Sequence, residues 1–417
     1  MQNPASGGGP VLTAPVGDSL RHDNPVPPPF AQTESASAGP MPAGGQATYA
    51  DINPEALHAS FARLTATGQS AMEYFYSRLF TVSPDTRALF PTAMTSQRER
   101  VLSALSQIVA SLGDEAAFSG LLDRLGRDHR KFGVSARHYQ PFFACLQDTV
   151  EHFSGPEWTQ QVADSWQALL AVAADRMQAA AEDATAGPPW WVAEIVAHEL
   201  RAPGVAVLRL QPDQPLPYEA GQYVPVQVTR WPRVWRPYSM ATAPRPGGLI
   251  ELHVRAVPGG LVSNTLAYHS NVGDCVLLGA PAGEMTLADT DRDLLCVAGG
   301  TGLAPIKAII ERAIASGASS RKKITLFVGA RQRFDLYDLD DLQLLEAARP
   351  ELQVLPVLSE EPGYPGLTGT LPAVVGAEGL FEDAEAYICG PAAMVSAAAA
   401  ILAASIPLSQ LHYDPIS

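Results

Sequence analysis

The tetrapeptide Arg236-Pro237-Tyr238-Ser239 combines side chains that suit a dinucleotide cofactor. An arginine neutralises a pyrophosphate through its planar fork of donors. The ring of Tyr238 offers a flat surface to an isoalloxazine, and the Ser239 hydroxyl is placed to reach its N5 edge. The same four residues also fit an ordinary proline turn that leads into an edge strand, so on its own the tetrapeptide leaves both interpretations open.

Glycine motifs further along the chain favour the cofactor interpretation. Gly259-Gly260 precedes Leu261-Val262-Ser263, a pattern typical of a helix N-terminus that binds a phosphate. Gly299-Gly300-Thr301-Gly302 stands between a strand-like run and a helix with Pro305 in its first turn, as in phosphate-binding loops. Cys389-Gly390-Pro391 occupies a similar corner. Glycine corners also occur for geometry alone, and an isolated cysteine is more often a buried structural residue.

The elements that must position these motifs change character along the chain. Residues 1–50 are rich in Gly, Pro, Ala and Ser, which predicts a disordered tail. Residues 51–186 have apolar side chains at helical spacing and predict an all-helical domain. Residues 187–290 contain short strand-like runs between turn residues and predict a small antiparallel β-barrel. Residues 291–417 alternate buried strands with helices, which predicts a parallel sheet in an α/β domain.

Composition excludes several classes of partner. The net charge of −15 and the lack of a basic stripe argue against binding nucleic acid. The four cysteines are widely scattered, which excludes an iron–sulfur spacing and is typical of a reduced, cytoplasmic protein. Because the sequence has no apolar run long enough to span a bilayer and no secretory leader pattern, we expect neither membrane insertion nor secretion.

The region from about Trp190 to Ser417 resembles the ferredoxin–NADP reductase superfamily, in which an FAD-binding barrel precedes a nicotinamide-binding α/β domain. The resemblance rests on the order and spacing of the motifs above, together with Gly221-Gln222-Tyr223. It implies that FAD is contacted by Tyr223, Arg236, Pro237, Tyr238, Ser239, Gly260, Val262, Ser263 and Asp414. It also implies a nicotinamide-nucleotide site at Gly299, Gly300, Thr301, Gly302, Pro305, Gly390 and Pro391, with Cys389 near the position of hydride transfer.

The nicotinamide nucleotide is NADH or NADPH. Gly329-Ala330-Arg331-Gln332-Arg333 follows the second strand of the predicted parallel sheet and is expected to face the adenosine ribose. Either Arg331 or Arg333 is placed to accept a 2′-phosphate, although arginines at such a corner are equally typical of solvated surface. We favour NADH.

The helical region contains a second set of candidate residues. His129 stands on a predicted helix, where a lone histidine is usually a surface residue or a satisfied core residue. Tyr76 lies in an aromatic helix, Phe90 follows in the next corner, and Gln97 and Val101 share one face of the next helix. These residues fit either three packed amphipathic helices or a haem pocket with His129 as the single protein ligand, which leaves the iron open to a gas.

Residues 51–186 resemble the globin domain of flavohaemoglobins, at the run Phe75 to Phe80, at Gln97-Arg98 and at His129 with Tyr139. The resemblance implies that His129 ligates the iron of haem b and that Phe90 and Val101 contact the porphyrin. It implies roles in catalysis for Tyr76 and Gln97 beside the bound gas.

Two departures from the family pattern concern the support of the histidine and the C-terminus. In the family a tyrosine and a glutamate support the ligating histidine. Tyr139 matches the tyrosine, but a gapless count from Trp166 reaches Ala181, so the acidic partner is Glu182 or Asp183. The C-terminal Leu411 to Ile416 lacks the aromatic that stacks on the flavin in members of the family, whereas Asp414 matches the acidic position nearby.

The combined resemblance implies a nitric oxide dioxygenase that passes electrons from NADH or NADPH through FAD to haem and converts nitric oxide and dioxygen to nitrate. The expected partners are these gases and the nucleotide, and the expected state is a monomer. One alternative is another flavin or haem oxidoreductase on the same frame. The other is a haem-based gas or redox sensor that signals through the tail or through a partner protein.

Overall fold

The computed structural model describes residues 47–316, 322–379, 381 and 383–414. Most of the predicted N-terminal tail lies outside the described residues, and so does Ile416. Across the described part, an all-helical domain is followed by an antiparallel sheet and then by a parallel sheet. This order confirms the predicted fold class.

The helical domain consists of long helices joined by short 3₁₀ turns. Its α-helices are α1 Pro54–Val82, α2 Thr95–Ala110, α3 Glu115–His129, α4 Ala136–Ser154 and α5 Gln160–Asp183. The 3₁₀ turns are Tyr49–Asp51, Pro84–Leu89, Ser111–Gly113, Arg130–Phe132, Gly155–Glu157 and Ala184–Ala186. Helix α1 ends just before Pro84, which cannot continue it.

Side-chain caps and one apolar core hold these helices in place. Asp114 begins α3 by accepting hydrogen bonds from the amides of Ala116 and Ala117, which satisfies two donors that the helix leaves free. Trp166 on α5 is fully buried and donates to the hydroxyl of Ser60 on α1 at 2.8 Å. These contacts fix α3 and α5, which carry the candidate residues described below.

The antiparallel sheet closes on itself as the predicted barrel. Its strands are β1 Trp191–Ala202, β2 Val205–Pro212, β3 Tyr223–Val228, β4 Arg236–Ser239, β5 Ile250–Arg255 and β6 Cys275–Leu278, and α6 Leu261–Tyr268 lies between β5 and β6. The strand order is β4-β3-β6-β1-β2-β5. A β-bridge between Met240, just after β4, and Leu252 on β5 joins the first strand of this order to the last.

The parallel sheet has the strand order β10-β9-β8-β7-β11-β12. Its strands are β7 Leu294–Gly299, β8 Ile324–Ala330, β9 Leu352–Leu358, β10 Leu367–Thr368, β11 Glu385–Cys389 and β12 Leu411–His412. Its helices are α7 Leu303–Ala315, α8 Leu339–Ala348, α9 Leu371–Glu378 and α10 Ala392–Leu402, with 3₁₀ turns at Gly300–Gly302, Arg333–Asp335 and Leu408–Gln410. The order reverses between β7 and β11, and ligands bind at such a switch point in open α/β sheets.

A buried charge cluster joins the two sheets. The ammonium of Lys307 on α7 lies 3.1 Å from the carboxylate of Glu251 on β5 and 2.8 Å from that of Asp338. His253 on β5 bridges the same region, since its ring lies 3.1 Å from Glu251 and 2.8 Å from the hydroxyl of Tyr337. The barrel and the parallel sheet are therefore held together by paired buried charges.

Among the helices that the structure describes, none is both long enough and apolar enough to cross a membrane.

Candidate active site

Tyr76 carries a polar group that the helical domain leaves without a partner. The side chain is 3% exposed on α1, and its hydroxyl makes no hydrogen bond of normal geometry. Burial raises the pKa of Tyr76 far above its ordinary value, and the nearby Gln97 and Arg98 only partly oppose this. Because a buried unpaired hydroxyl costs free energy, it indicates an acceptor that binds at this position.

The residues predicted beside Tyr76 lie around it. The ring of Phe90 meets the ring of Tyr76 edge to face at 5.4 Å. Gln97 on α2 is half-buried and close enough to affect the Tyr76 hydroxyl, while Val101 packs against the same apolar core. Arg98 ties α2 to α1 through a hydrogen bond of 2.8 Å to Glu73. The structure thus brings these side chains together near the Tyr76 hydroxyl.

His129 is the last residue of α3 and has one ring nitrogen already engaged. Its Nδ1 lies 2.6 Å from the carbonyl oxygen of Leu125, so this nitrogen carries the proton and donates it. Burial lowers the pKa of the imidazole, which favours the neutral form. A neutral imidazole with Nδ1 bound to a carbonyl presents the lone pair of Nε2, the arrangement found in metal-ligating histidines.

The expected support for His129 is only partly assembled. Tyr139 on α4 is buried, which raises the pKa of its hydroxyl, but it makes no hydrogen bond to His129 in the described contacts. Glu182 and Asp183 are exposed at the end of α5, so neither is brought to His129. The physical reason is helical rotation: Ala180 faces the core, and each residue after it turns about 100° further around the axis.

The predicted flavin residues meet across two paired strands. In the β3–β4 ladder Tyr223 lies opposite Ser239 and Val224 lies opposite Tyr238. Burial raises the pKa of Tyr238 far above its ordinary value, and the side chain packs against the barrel core. The guanidinium of Arg236 donates to the carbonyl of Trp235 at 2.8 Å. Pro237, between Arg236 and Tyr238 on β4, is exposed.

The turn before α6 has the tight geometry expected of its glycines. Gly260 precedes the first residue of α6, and a Cβ there would overlap the hydroxyl of Ser263. That hydroxyl accepts a hydrogen bond from the amide of Val257 at 3.3 Å, and both Val262 and Ser263 are buried. The Ser263 side chain therefore shapes the loop, while the amides at the start of α6 remain the groups that suit a phosphate.

The two glycine motifs of the parallel sheet pack directly against each other at the switch point. A Cβ on Gly302 would overlap the carbonyl oxygen of Cys389, and one on Gly299 would lie 3.2 Å from Pro391. Gly300 has a φ of 56°, a left-handed conformation that favours glycine. Thr301 completes this turn, and Pro305 is buried in the first turn of α7. Only glycine fits these corners.

A cleft of about 910 Å³ opens beside this corner. Its walls include Gly299, Gly300 and Pro391 from the predicted set. Arg255 also lines the cleft, although it comes from β5 of the barrel and was not predicted. The sequence contains a signal for Arg255, because polar side chains alternate along β5 and so share one face of the strand. They are Glu251, His253 and Arg255.

Cys389 and Asp414 lie close together near the end of the chain. Burial and the nearby charge of Asp414 raise the pKa of the Cys389 thiol to about 12, so the thiol is neutral at physiological pH. Burial also raises the pKa of Asp414, against hydrogen bonds from the amides of Glu284 and Met285. Asp414 and Tyr223 both flank Gly283, so the C-terminal segment reaches the flavin residues of the barrel.

Three protein families match the chain in the order of its domains. The globin family matches residues 73–177, the oxidoreductase FAD-binding domain matches 193–287, and the oxidoreductase NAD-binding domain matches 296–400. A flavohemoprotein of Deinococcus radiodurans is 29% identical over 375 residues, with 83% of this chain and 91% of that protein covered. The chain therefore has the domain architecture of flavohaemoglobins, a globin domain followed by FAD-binding and NAD-binding reductase domains.

A solved flavohaemoglobin has the same fold as this chain. The structure from Malassezia yamatoensis, described with bound FAD and haem, superimposes with a TM-score of 0.71, with 90% of this chain and 100% of that chain covered. Its sequence identity is 16%, so the likeness concerns the fold.

The reductase half of the chain also resembles electron-transfer components of oxygenases. The component XylA of xylene/toluene monooxygenase from Pseudomonas putida is 35% identical, with 46% of this chain and 56% of that protein covered. A reductase component of naphthalene 1,2-dioxygenase and salicylate 5-hydroxylase systems from a Ralstonia species is 40% identical, with 46% of this chain and 57% of that protein covered. The chain thus spans little more than half the length of these relatives.

The cofactors of this chain are haem, FAD and a nicotinamide nucleotide, as the three family matches indicate. The residues fit these groups. The unpaired hydroxyl of Tyr76 and the free Nε2 of His129 fit a haem with a polar ligand. Gly299 and Gly300 line the cleft of about 910 Å³, whose size fits a nucleotide, while Gly302 packs against the backbone of Cys389.

Proposed function

We propose that this protein is a flavohaemoglobin that acts as an NADH-dependent nitric oxide dioxygenase. The overall reaction takes two nitric oxide and two dioxygen molecules with one NADH to two nitrate ions, NAD⁺ and one proton. FAD divides the two-electron hydride into single electrons, and the haem supplies gas binding and redox chemistry. The observation that carries the proposal is the buried, unpaired hydroxyl of Tyr76 in a domain whose His129 presents a free Nε2.

The helical domain has the residues needed to bind and polarise the gas. His129 would ligate the iron through Nε2, and its Nδ1 bond to Leu125 fixes the ring. Tyr76 would donate a hydrogen bond to dioxygen in a site that excludes water, where such a bond counts for more. Gln97 would assist as a second donor, and Phe90 and Val101 would bound the pocket.

The two reductase domains have the residues needed to orient hydride transfer. Tyr223, Tyr238 and Ser239 would hold the flavin ring, while Arg236 would pair with its pyrophosphate. The glycine corners at the switch point would take the nicotinamide nucleotide. Cys389 would place a neutral thiol beside the nicotinamide, because its raised pKa keeps it protonated.

The test is consumption of nitric oxide by the purified holoprotein. With NADH and air, an electrode should record rapid loss of nitric oxide and ion chromatography should find nitrate in equal amount. A His129→Ala variant should lose the haem absorption band and the activity together. Loss of nitric oxide no faster than in buffer with NADH would contradict the proposal.

A second candidate is electron transfer from the reductase domains to a separate acceptor protein. It is favoured by the higher identity of the reductase half to oxygenase components, at 35% and 40%, than of the whole chain to the flavohemoprotein, at 29%. NADH-dependent reduction of a soluble [2Fe–2S] ferredoxin by His129→Ala at an undiminished rate would support it. No reduction of ferredoxin by either form would remove it.

A further inference from the structure

Lys131 and Phe132, in the 3₁₀ turn that follows His129, form a contact between the helical domain and the barrel. The ring of Phe132 lies 6.2 Å from the imidazole of His129. The same Phe132 ring lies 6.4 Å from the ring of Trp235, which it meets edge to face at 85°. Phe132 therefore stands between the candidate iron ligand and the barrel, with Gly133 in a left-handed conformation (φ 74°) directly after it.

Lys131 fixes the two rings against each other. Its ammonium lies 5.3 Å from the centroid of the Phe132 ring and 5.9 Å from that of Trp235. Its side chain is only 8% exposed, and the ammonium pairs with the carboxylate of Asp128 at 3.2 Å. A cation over two aromatic faces is attracted by both, and more strongly where water is excluded. Lys131, Phe132 and Trp235 together form a cluster between the two domains, the coupling contact.

The barrel side of the coupling contact belongs to the flavin motif. Trp235 is 7% exposed and immediately precedes β4, the strand Arg236–Ser239. The guanidinium of Arg236 donates to the carbonyl of Trp235, so the backbone of the tryptophan and the predicted pyrophosphate ligand are joined. A displacement of the indole would therefore move the start of the strand that holds the flavin.

The turn that bears Lys131 and Phe132 also anchors the segment between the domains. Arg130 donates to the carbonyls of Ala184 at 2.5 Å and Gly187 at 2.7 Å, just ahead of β1. By contrast, the ion pair between Arg124 and Glu284, which also joins the helical domain to the barrel, is 3.4 Å long and exposed on both sides. Exposed pairs of this kind contribute little.

We propose that the coupling contact sets the rate of electron transfer from flavin to haem, with Phe132 and Trp235 as positioning residues. The step moves one electron at a time from the reduced flavin to the ferric haem, and NADH supplies two electrons per hydride. The rate of such transfer falls steeply with distance, so the packing that fixes the strand Arg236–Ser239 against the turn after His129 controls it. The inference rests on the flavin-to-haem transfer of the proposed function, but it requires no reaction with nitric oxide.

The experiment is anaerobic stopped-flow mixing of the full-length holoprotein with NADH under carbon monoxide. Flavin bleaching and formation of the carbon monoxide complex report the two steps separately. Phe132→Leu and Trp235→Leu should slow haem reduction by about tenfold or more, because small misplacements cost rate steeply. Flavin reduction by NADH should be unchanged. Trp235→Phe, which keeps a ring, should retain most of the haem reduction rate.

Arg124→Ala is the matched control, since it removes the exposed contact between the same domains and should leave both steps unchanged. A readout of packing accompanies the kinetics: backbone hydrogen exchange at residues 130–134 should rise in both leucine variants and not in Arg124→Ala. If Trp235→Leu fails to retain flavin, Phe132→Leu decides, because it changes only the helical domain.

Haem reduction at the wild-type rate in Phe132→Leu would overturn the inference, as would equal slowing of flavin and haem reduction. These outcomes are separate from a failure of the proposed function. A protein that reduces its haem normally but does not consume nitric oxide would contradict the dioxygenase proposal and leave the coupling contact standing.

Discussion

Gly126 on α3 packs directly against the backbone of Met177 on α5, so closely that a methyl group on Gly126 would overlap the carbonyl oxygen of Met177. Gly126 lies three residues before His129, within the last turn of the same helix. The spacing of α3 from α5 therefore fixes the position of the candidate iron ligand, and this spacing depends on the absence of a side chain.

Gly126→Ala should accordingly lower stability and weaken retention of haem. The added methyl group forces α3 away from α5, and overpacking of this kind costs about 1–3 kcal/mol. Gly120 on the same helix is the matched control, because a Cβ there would meet nothing within 4 Å. Gly120→Ala should raise stability by about 0.5–1 kcal/mol through helix propensity.

Urea unfolding of the cofactor-free proteins and the haem-to-protein absorbance ratio of the holoproteins measure these two effects. A Gly126→Ala protein as stable and as haem-replete as Gly120→Ala would show that the close contact between α3 and α5 does not position His129.

Tyr76→Phe should separate catalysis from stability. The Tyr76 hydroxyl is buried and unpaired, so its removal should leave the cofactor-free protein equally stable or more stable by about 1 kcal/mol. Nitrate formation from nitric oxide should fall about a hundredfold, because one hydrogen-bond donor to the reacting oxygen is lost. The measurements are urea unfolding and nitric oxide consumption under air.

Tyr74→Phe is the control for this substitution. Tyr74 lies on the same helix, but it stacks on His152 at 4.5 Å and lies away from the pocket. The Tyr74→Phe substitution should therefore leave nitric oxide consumption unchanged. Equal activity in Tyr76→Phe and wild type would remove Tyr76 from the mechanism.

The parts of the site that the sequence predicted are those fixed by local geometry. Gly300 stands where a strand turns into a helix, and its left-handed φ of 56° favours glycine for reasons of local backbone conformation alone. Tyr76 and His129 were found because aromatic and polar residues at helical spacing carried a family resemblance. Such features depend on neighbours in the chain, so a single sequence contains them.

The parts that the sequence did not predict depend on contacts between distant segments or on one step of helical rotation. Arg255 reaches the nucleotide cleft from another domain, and Trp235 meets Lys131 across a domain contact. The spacing around Trp166 placed Glu182 or Asp183 near His129, but a rotation of about 100° per residue decides which side chain faces inward. Neither packing nor rotation can be obtained from residue types alone.

Lys307→Met should lower the free energy of unfolding by weakening the contact between the barrel and the parallel sheet. The size of this decrease should depend on pH. Burial raises the pKa of Glu251, but the hydrogen bond from His253 and the charge of Lys307 outweigh it, so the folded-state pKa is lowered. Glu251 therefore stabilises the fold above its ordinary pKa and loses that contribution as the pH falls through the acid range. Removing Lys307 takes one cation from two buried carboxylates that keep other partners, Arg209 at Glu251 and Arg201 at Asp338, so the cost should be about 1.5–3 kcal/mol at neutral pH.

The difference in stability between wild type and Lys307→Met should shrink as the pH falls through the acid range below the ordinary pKa of a glutamate, because protonation of Glu251 removes its attraction to Lys307. Denaturant unfolding at a series of pH values measures it. Lys323→Met, at an exposed lysine, is the control and should change stability by less than about 0.5 kcal/mol at every pH. A constant difference across the pH range would show that the Glu251–Lys307 pair is not the source of the effect.

Arg331 and the carboxylates near it should decide the choice between NADH and NADPH. Arg331, Asp335 and Glu360 all line the nucleotide cleft. Arg255 also lines the cleft but lies beside Gly300. Around Arg331 the carboxylates of Asp335 and Glu360 oppose the charge of a 2′-phosphate, so flavin reduction should be faster with NADH by about tenfold or more. Glu360→Gln should lower the ratio of the NADH rate to the NADPH rate by speeding flavin reduction with NADPH. Arg331→Ala should raise the ratio by slowing flavin reduction with NADPH alone.

Arg333 provides the control for Arg331, because its guanidinium lies over the Tyr364 ring at 5.2 Å and faces Glu361. Stopped-flow flavin reduction over a range of each nucleotide gives kcat/KM for every variant. Arg333→Ala should leave the ratio for the two nucleotides unchanged. If Arg333→Ala lowers kcat/KM for NADPH and Arg331→Ala does not, the 2′-phosphate binds on the Arg333 side. The carboxylates in the cleft then do not set the preference for NADH over NADPH.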